Sequence, residues 1–199
     1  ALNQARQELI RQMLLNEEKE KLAHLDPLTQ LFNRRYLERW LPKEISRADR
    51  LGSCVSFLMM DLDEFKSVNT RLGHQAGDRL LVEVAELLQR TFRGSDSVVR
   101  YGGDEFLVVM PDTKEEQARH ALARLSHNVE CWNRERERPY RMGISCGLAA
   151  YSKGDDAEQV LRLADQNMYR QKAQCREAEA LSADMLRAGH SPHRACAAR

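Results

Sequence analysis

The run CVSFLMM, from Cys54 to Met60, is apolar at nearly every position and follows neither the helical nor the strand period. A short run of this kind reads as a strand buried on both faces, in a sheet covered by helices. It ends abruptly in DLDEFK, which brings in Asp61, Asp63 and Lys66. A second apolar stretch, VVRYGGDEFLVVM from Val98 to Met110, is broken by Gly102, Gly103, Asp104 and Glu105. A hairpin can use a Gly-Gly turn, but it has no need of two carboxylates where a buried strand begins.

Around these runs the pattern alternates between helix and strand. Asn33 is placed to cap a helix whose apolar face is Leu37, Trp40, Leu41, Ile45 and Ala48. A short helix after Asp63 should stop at Gly73. The next carries Leu80, Leu81, Val84, Leu87, Leu88, Thr91 and Phe92. Thr113 and Glu116 have the spacing of a capping box for a helix burying Ala118, Leu122, Leu125 and Val129. From Tyr140 the period becomes two, with Tyr140, Met142, Ile144, Cys146, Leu148 and Ala150 on one face, and a strand is expected there. A last helix holds Ala157, Val160, Leu161, Ala164 and Met168 and runs toward Cys175. The sum is an α/β (α+β) sandwich on a mixed sheet.

The ends are different in character. Residues 1–25 lack Gly and Pro and read as a helical stalk or linker, though six scattered apolar positions fit a simple solvated helix equally well. Residues 26–177 form the expected domain, and 178–199 an extension that starts helical and ends disordered. A net charge of +1 gives no global field for nucleic acid or acidic lipid. Five scattered cysteines without a C-x-x-C pair fit a reducing cytoplasm rather than a disulfide or zinc scaffold. No apolar run is long enough to span a membrane, and a chain opening on Ala1 is expected to be part of a longer one, which can itself be membrane-attached.

The chemistry lies in the acids. If the two acid-bearing strands are neighbours, three or four carboxylates converge at one sheet edge, outside strand ends where α/β sheets bind ligands. Crowded carboxylates raise one another's pKa unless a cation lies between them. Oxygen donors without His or Cys favour Mg²⁺ or Mn²⁺, which usually bridges carboxylates to substrate phosphates. Lys66, Arg100, Lys172 and Arg176 are cations for such phosphates, and Gly102 and Gly103 leave room for a close approach. Each feature has a plainer alternative: a hairpin turn for the glycines, strand-end caps for Asp61 and Asp63, and a solvated helix face for Lys172 and Arg176. Asn69 and His74 can likewise be ordinary helix-surface and loop residues.

Four ordered motifs settle on one family. DPLTQLFNRR, DLDEFKSVNTRLGHQAGDRLL, RYGGDEF and ADQNMYRQKAQCR, together covering Asp26 to Arg176, resemble those of the GGDEF family, the diguanylate cyclases. The resemblance implies a central mixed five-stranded sheet flanked by helices, related to the adenylate cyclase and polymerase palm domains. It implies two Mg²⁺ ions on Asp61, the carbonyl of Leu62 and Asp104, supported by Glu105. Asp104 is the family's usual proton acceptor. Asn69 and Asp78 would read guanine, with His74 in the same block. Lys66 would steady the transition-state charge, while Lys172, Arg176 and Arg100 would hold phosphates of GTP. Arg93 and Asp96 match an R-x-x-D site for the product, cyclic di-GMP. A homodimer is implied, because each domain holds one GTP, and so is an upstream sensory domain in a longer parent chain. A non-catalytic cyclic di-GMP receptor and a GTP-binding regulatory domain are the alternatives. Three positions depart from the pattern: Gln30 and Cys175 replace glycines, and Glu64 replaces an apolar or aromatic residue.

Overall fold

The computed structural model describes residues 6–8, 10–12, 24–135 and 138–187. Most of the expected stalk and the end of the expected extension lie outside these residues; residues 6–8 and 10–12 are helical. The elements, in chain order, are β1 (Phe32–Asn33), α1 (Arg34–Leu51), β2 (Val55–Leu62), α2 (Phe65–Leu72), α3 (His74–Thr91), β3 (Ser97–Arg100), β4 (Glu105–Pro111), α4 (Glu115–Glu135), β5 (Ile144–Tyr151) and α5 (Ala157–Arg187). The strands form one five-stranded sheet in the order β1-β3-β4-β2-β5. Only β1 and β3 run parallel, so the sheet is mixed, as expected.

The CVSFLMM run is apolar throughout because both faces of β2 are covered. Leu58, Met60 and Leu62 join Phe106 and Val108 of β4 under α3 and α4, where Leu80, Val84, Leu88 and Leu125 pack. Val55, Phe57 and Met59 point the other way, onto Leu37 and Ala48 of α1 and Val160, Ala164 and Met168 of α5. Each such large side chain stabilises the fold by about 1.5–3 kcal/mol when fully buried. Two of the helix signals read from the sequence, the Asn33 cap and the Gly73 stop, are present. Asn33 accepts a hydrogen bond from the Tyr36 amide at 3.0 Å. Gly73, at φ 85°, ends α2 by donating its amide to the Asn69 carbonyl at 3.0 Å.

Two local expectations are corrected. The last strand begins at Ile144, not Tyr140. Upstream, the amide and carbonyl of Met142 bond to the side chain of Asn133, at 2.9 and 2.8 Å, so a helix side chain satisfies the backbone that a strand partner would have. The Thr113–Glu116 capping box does not form, because Thr113 donates its hydroxyl to the Pro111 carbonyl. Gln117 instead accepts from the Lys114 amide at 3.0 Å, one residue later in register. The helical start expected for the extension is present, since α5 continues past Cys175 to Arg187.

The seat of α5 on β5 depends on one missing side chain. A Cβ at Gly147 would lie 2.0 Å from the Ala164 carbonyl oxygen and 2.1 Å from the Met168 amide, so helix and strand backbones are in direct contact. The same helix covers the sheet's free edge: Asn167 donates to the Leu148 carbonyl at 2.9 Å and Gln171 accepts from the Cys146 amide. Covering an edge in this way blocks pairing with another chain. No helix of the described residues is long and apolar enough to cross a membrane.

Gly147→Ala should therefore destabilise at or beyond the upper end of the about 1–3 kcal/mol typical of overpacking, since backbone cannot move aside as a side chain can. Gly94, with open space around its Cβ position, is the control, and Gly94→Ala should change stability by less than about 0.5 kcal/mol. Equilibrium denaturation of both variants measures the difference.

Candidate active site at the strand ends

The antiparallel pairing of β2 with β4 places Asp61 directly opposite Glu105. Residues paired across a ladder project to the same face, so both carboxylates stand on the α1/α5 side of the sheet. One residue further, the Leu62 amide donates to the Asp104 carbonyl at 3.1 Å and ties the turn to the end of β2. From α5, Lys172 forms an ion pair with Asp61, and both side chains are largely buried, at 16% and 13% exposure. Lys172 thus belongs to the acid cluster and not to a solvated helix face. Burial, followed by the charges of Asp61, Asp104 and Asp165, pushes the Glu105 carboxyl up, against a smaller opposing pull from Lys172.

Asp63 has another task. It accepts from the Ser145 hydroxyl at 2.6 Å, and its amide donates to the Gly143 carbonyl at 2.9 Å, so it fastens the end of β2 to β5. Burial raises its pKa, and the Ser145 hydrogen bond opposes the shift. Among the described residues no three His, Cys, Asp or Glu side chains group so as to hold a metal ion. The oxygen set at the strand ends is smaller: the carboxylates of Asp61 and Asp104 and the carbonyl of Leu62. That suits Mg²⁺, which takes one or two protein carboxylates and fills its octahedron with water and phosphate. The mutual repulsion recorded at Glu105 also suits an added cation.

The turn glycines supply space, not an unusual backbone. Neither Gly102 nor Gly103 is left-handed, unlike Gly52, Gly73 and Gly154. A Cβ on Gly102 would lie 2.6 Å from a Glu105 carboxylate oxygen, whereas nothing lies within 4 Å of that position on Gly103. Gly102 therefore lets the Glu105 side chain fold over the turn, and Gly103 leaves the turn open to a ligand.

The guanine candidates come from the opposite layer. Gly73 folds α2 back onto α3, and Asn69 leans on the second helix: a Cβ at Gly77 would lie 2.0 Å from the Asn69 Oδ1 atom. Asp78, the next residue, and His74, the first of α3, are exposed, as is Lys66 in the first turn of α2. Arg176 is exposed one turn beyond Lys172 on α5. These residues flank the end of β2 from both sides of the sheet.

Arg100 joins two turns. Its Nη1 pairs with Asp26 at 2.9 Å, and its Nε and Nη2 donate to the Gly103 carbonyl at 3.2 and 2.8 Å. Asp26 in turn accepts from the amide and hydroxyl of Thr29, at 2.8 and 2.7 Å. The guanidinium fork thus clamps the opening turn to the Gly-Gly turn. Arg93 and Asp96 lie at the other end of β3. Asp96 accepts from the Arg93 amide at 2.9 Å, closing its own turn, and leaves the Arg93 side chain exposed. Asp165, inside the ADQNMYRQKAQCR motif but without an assigned role there, lies seven residues before Lys172 on one helical stripe. The sequence reasoning passed over Asp26 as the partner of Arg100, which only the parallel β1–β3 pairing brings near.

The family described as "Diguanylate cyclase, GGDEF domain" matches residues 23–178. The chain is 34% identical over 147 residues to diguanylate cyclase DosC of Escherichia coli (strain K12), covering 73% of this chain and 32% of that protein. It is 33% identical over 184 residues to diguanylate cyclase DgcS of Shewanella oneidensis, covering 89% of this chain and 60% of that protein. The chain thus spans about a third of the length of DosC. Among solved structures, the coiled coil and GGDEF domain of DgcB from Caulobacter crescentus, in complex with c-di-GMP, matches with a TM-score of 0.79 at 25% identity, covering 87% of this chain and 93% of that one.

The clamp carries its own pH signature. Burial would raise the Asp26 pKa, but the Thr29 hydrogen bonds and Arg100 outweigh it and hold the carboxyl below its ordinary 3.8. A depressed carboxyl adds stability above its unfolded pKa and loses it as pH falls through the folded value. Asp26→Asn should cost about 1–3 kcal/mol at pH 7, and the difference from the parent should shrink as pH falls below 3.8, measured by denaturation across pH.

Proposed function

The chain belongs to the diguanylate cyclase GGDEF domain family, and from that premise we propose that it condenses two GTP molecules into cyclic di-GMP with release of two pyrophosphates. The observation that carries this reading is the register that sets Asp61 opposite Glu105, with Asp104 tied to Leu62 beside them. Residues 26–177 would be the catalytic domain and 178–199 an appended extension.

Asp61, the Leu62 carbonyl and Asp104 would hold Mg²⁺, with Mn²⁺ as a substitute and Glu105 in support. When bound, the ion lowers the pKa of the attacking hydroxyl and neutralises the leaving phosphates. The Asp104 carboxylate receives the proton from the 3′-hydroxyl as that oxygen bonds to the α-phosphorus of the second GTP, and Glu105 supports it. The bond from that phosphorus to the β-phosphate oxygen breaks, and pyrophosphate leaves. Lys66 steadies the charge that develops there. Lys172 and Arg176 orient the terminal phosphates, and Gly102 and Gly103 admit them past the turn. Asn69 accepts and donates along the guanine edge, while Asp78 accepts from its N1–H and exocyclic amine; His74 lines the same pocket.

One GTP per domain makes the active unit a homodimer, with two sites face to face. The short span relative to DosC is consistent with a longer parent chain carrying an upstream sensory domain, and a cytoplasmic location goes with the proposed substrate, GTP. No nucleic acid partner is proposed. Feedback is assigned to Arg93 and Asp96: the exposed guanidinium stands at the end of β3 away from the Gly-Gly turn, where bound product would not displace substrate.

With GTP and Mg²⁺, the protein should yield cyclic di-GMP and pyrophosphate, and the rate per chain should rise with protein concentration. Asp104→Ala should lower turnover by at least about 10³-fold. A dimeric preparation that binds GTP without turnover overturns the enzyme reading in favour of a regulatory domain, and one that binds only cyclic di-GMP makes it a receptor. Arg93→Ala should leave the initial rate within about twofold and weaken inhibition by added cyclic di-GMP by about tenfold or more. Unchanged inhibition removes Arg93 from the feedback site.

A further inference from the structure

Asp165, Tyr169, Lys172 and Arg176 follow one another along α5 at steps of four, three and four residues. At 3.6 residues per turn these steps keep all four within about 60° of arc, on one stripe of the helix. Neighbours at such steps have their Cβ atoms about 5–6 Å apart. The stripe meets the acid cluster on both sides of Tyr169. Asp165 lines the same hollow as Glu105, and Lys172 pairs with Asp61. Tyr169 therefore stands between two side chains that both reach the strand ends.

Of the large hydrophobic side chains left exposed among the described residues, Tyr169 is the most exposed, at 69%, and is the one aromatic. Among those residues its ring stacks on no neighbour and its hydroxyl has no hydrogen bond. A single exposed apolar residue needs no explanation by itself. Its place on this stripe is what sets Tyr169 apart. A third cation beside Lys172 and Arg176 would be drawn to Asp61 and Glu105, whereas a neutral phenol stays available as a donor to an anion. A tyrosine has only two main side-chain torsions, so ordering it on a ligand costs less than ordering a lysine or arginine.

We infer that Tyr169 is a substrate-binding residue whose hydroxyl donates to the terminal phosphates of GTP, beside Lys172 and Arg176. The inference rests on the cyclase reading, which assigns GTP to this site, and adds to it a contact that neither charge nor metal supplies. The guanine candidates Asn69 and Asp78 belong to α2 and α3, on the opposite face of the sheet from α5. A nucleotide that spans the end of β2 from those helices turns its phosphates toward α5, and its base away from it. The partner of the phenol is therefore a phosphate oxygen.

The test is a calorimetric titration of the full chain, with Mg²⁺, against two ligands. One is guanosine 5′-(α,β-methylene)triphosphate, whose α–β bridge cannot release pyrophosphate; the other is GMP, which lacks the terminal phosphates. Tyr169→Phe removes only a hydroxyl at an exposed position, so thermal unfolding should not change. It should weaken the triphosphate by about fivefold or more and leave GMP within about twofold. Leu163→Ala, exposed on the far side of α5, should leave both affinities unchanged. Unaltered triphosphate binding by Tyr169→Phe overturns the hydroxyl contact, and an equal loss of both ligands overturns the phosphate in favour of base or ribose. An equal effect of Leu163→Ala overturns it too, because the helix and not the hydroxyl would then be responsible. Failure of the cyclase reading looks different. A parent chain that binds the triphosphate but releases no pyrophosphate from GTP loses the activity and keeps the Tyr169 contact, whereas one that binds no triphosphate loses both.

Discussion

Seven antiparallel pairs, from Val55 with Pro111 to Asp61 with Glu105, lock β2 against β4. Side chains alternate faces along a strand, so a slip of one residue would send every one of them to the wrong side. Phe57 and Met59 would leave the α5 face, and Asp61 would turn into the apolar layer beneath α3. The hydrophobic alternation that fills both cores is therefore the same constraint that sets two carboxylates side by side. No separate device is needed to assemble the acids, because their position is a consequence of burying what precedes them.

Helix α5 completes the cluster, and its placement is equally strict. Contact between its backbone and that of β5 at Gly147 fixes its height above the sheet, and the side chains of Asn167 and Gln171 fix its position along the edge. With both settled, the stripe of Asp165 and Lys172 must face the strand ends. Lys172 then meets Asp61 inside a largely buried environment, where an ion pair is screened far less than on a surface. A helix held more loosely would leave Lys172 in solvent, which is how spacing alone would have it.

Continuous apolar runs, an Asn cap and a Gly stop were legible in the sequence because each acts within one element or one turn. The convergence of the acids was legible only on condition that the two strands were neighbours, a fact of topology rather than of pattern. Where reading failed, a distant group had intervened. Asn133 took the backbone bonds of Met142, so an alternating pattern did not become strand until Ile144. Arg100 pairs with Asp26, far away in sequence, a contact that no local pattern announces. Gly102 and Gly103, read as a turn with room for a close approach, do leave open space at Gly103, while the position beside Gly102 is taken by the Glu105 side chain, which no local pattern announced. Left-handed backbone appears instead at Gln30 and Glu64, at φ 57° and 55°, costing about 1–2 kcal/mol for each such residue. Gln30 recovers part of that by donating its side-chain amide to the Pro27 carbonyl at 2.9 Å.

The two turns joined by Arg100 contribute to stability with opposite sign. Glu105, pushed up by burial and by its acidic neighbours, is less comfortable ionised in the fold than in the unfolded chain, so above its ordinary pKa of 4.5 it subtracts stability. Asp26, held below its ordinary 3.8, adds stability over the same range. Near neutral pH the fold therefore carries an unfavourable acid cluster at one end of the guanidinium clamp and a favourable one at the other. Through the Gly103 carbonyl, the stable turn braces the one that repels itself. A cation that neutralised the cluster would relieve the repulsion without moving the brace, which is how a site stays preorganised while its charge changes.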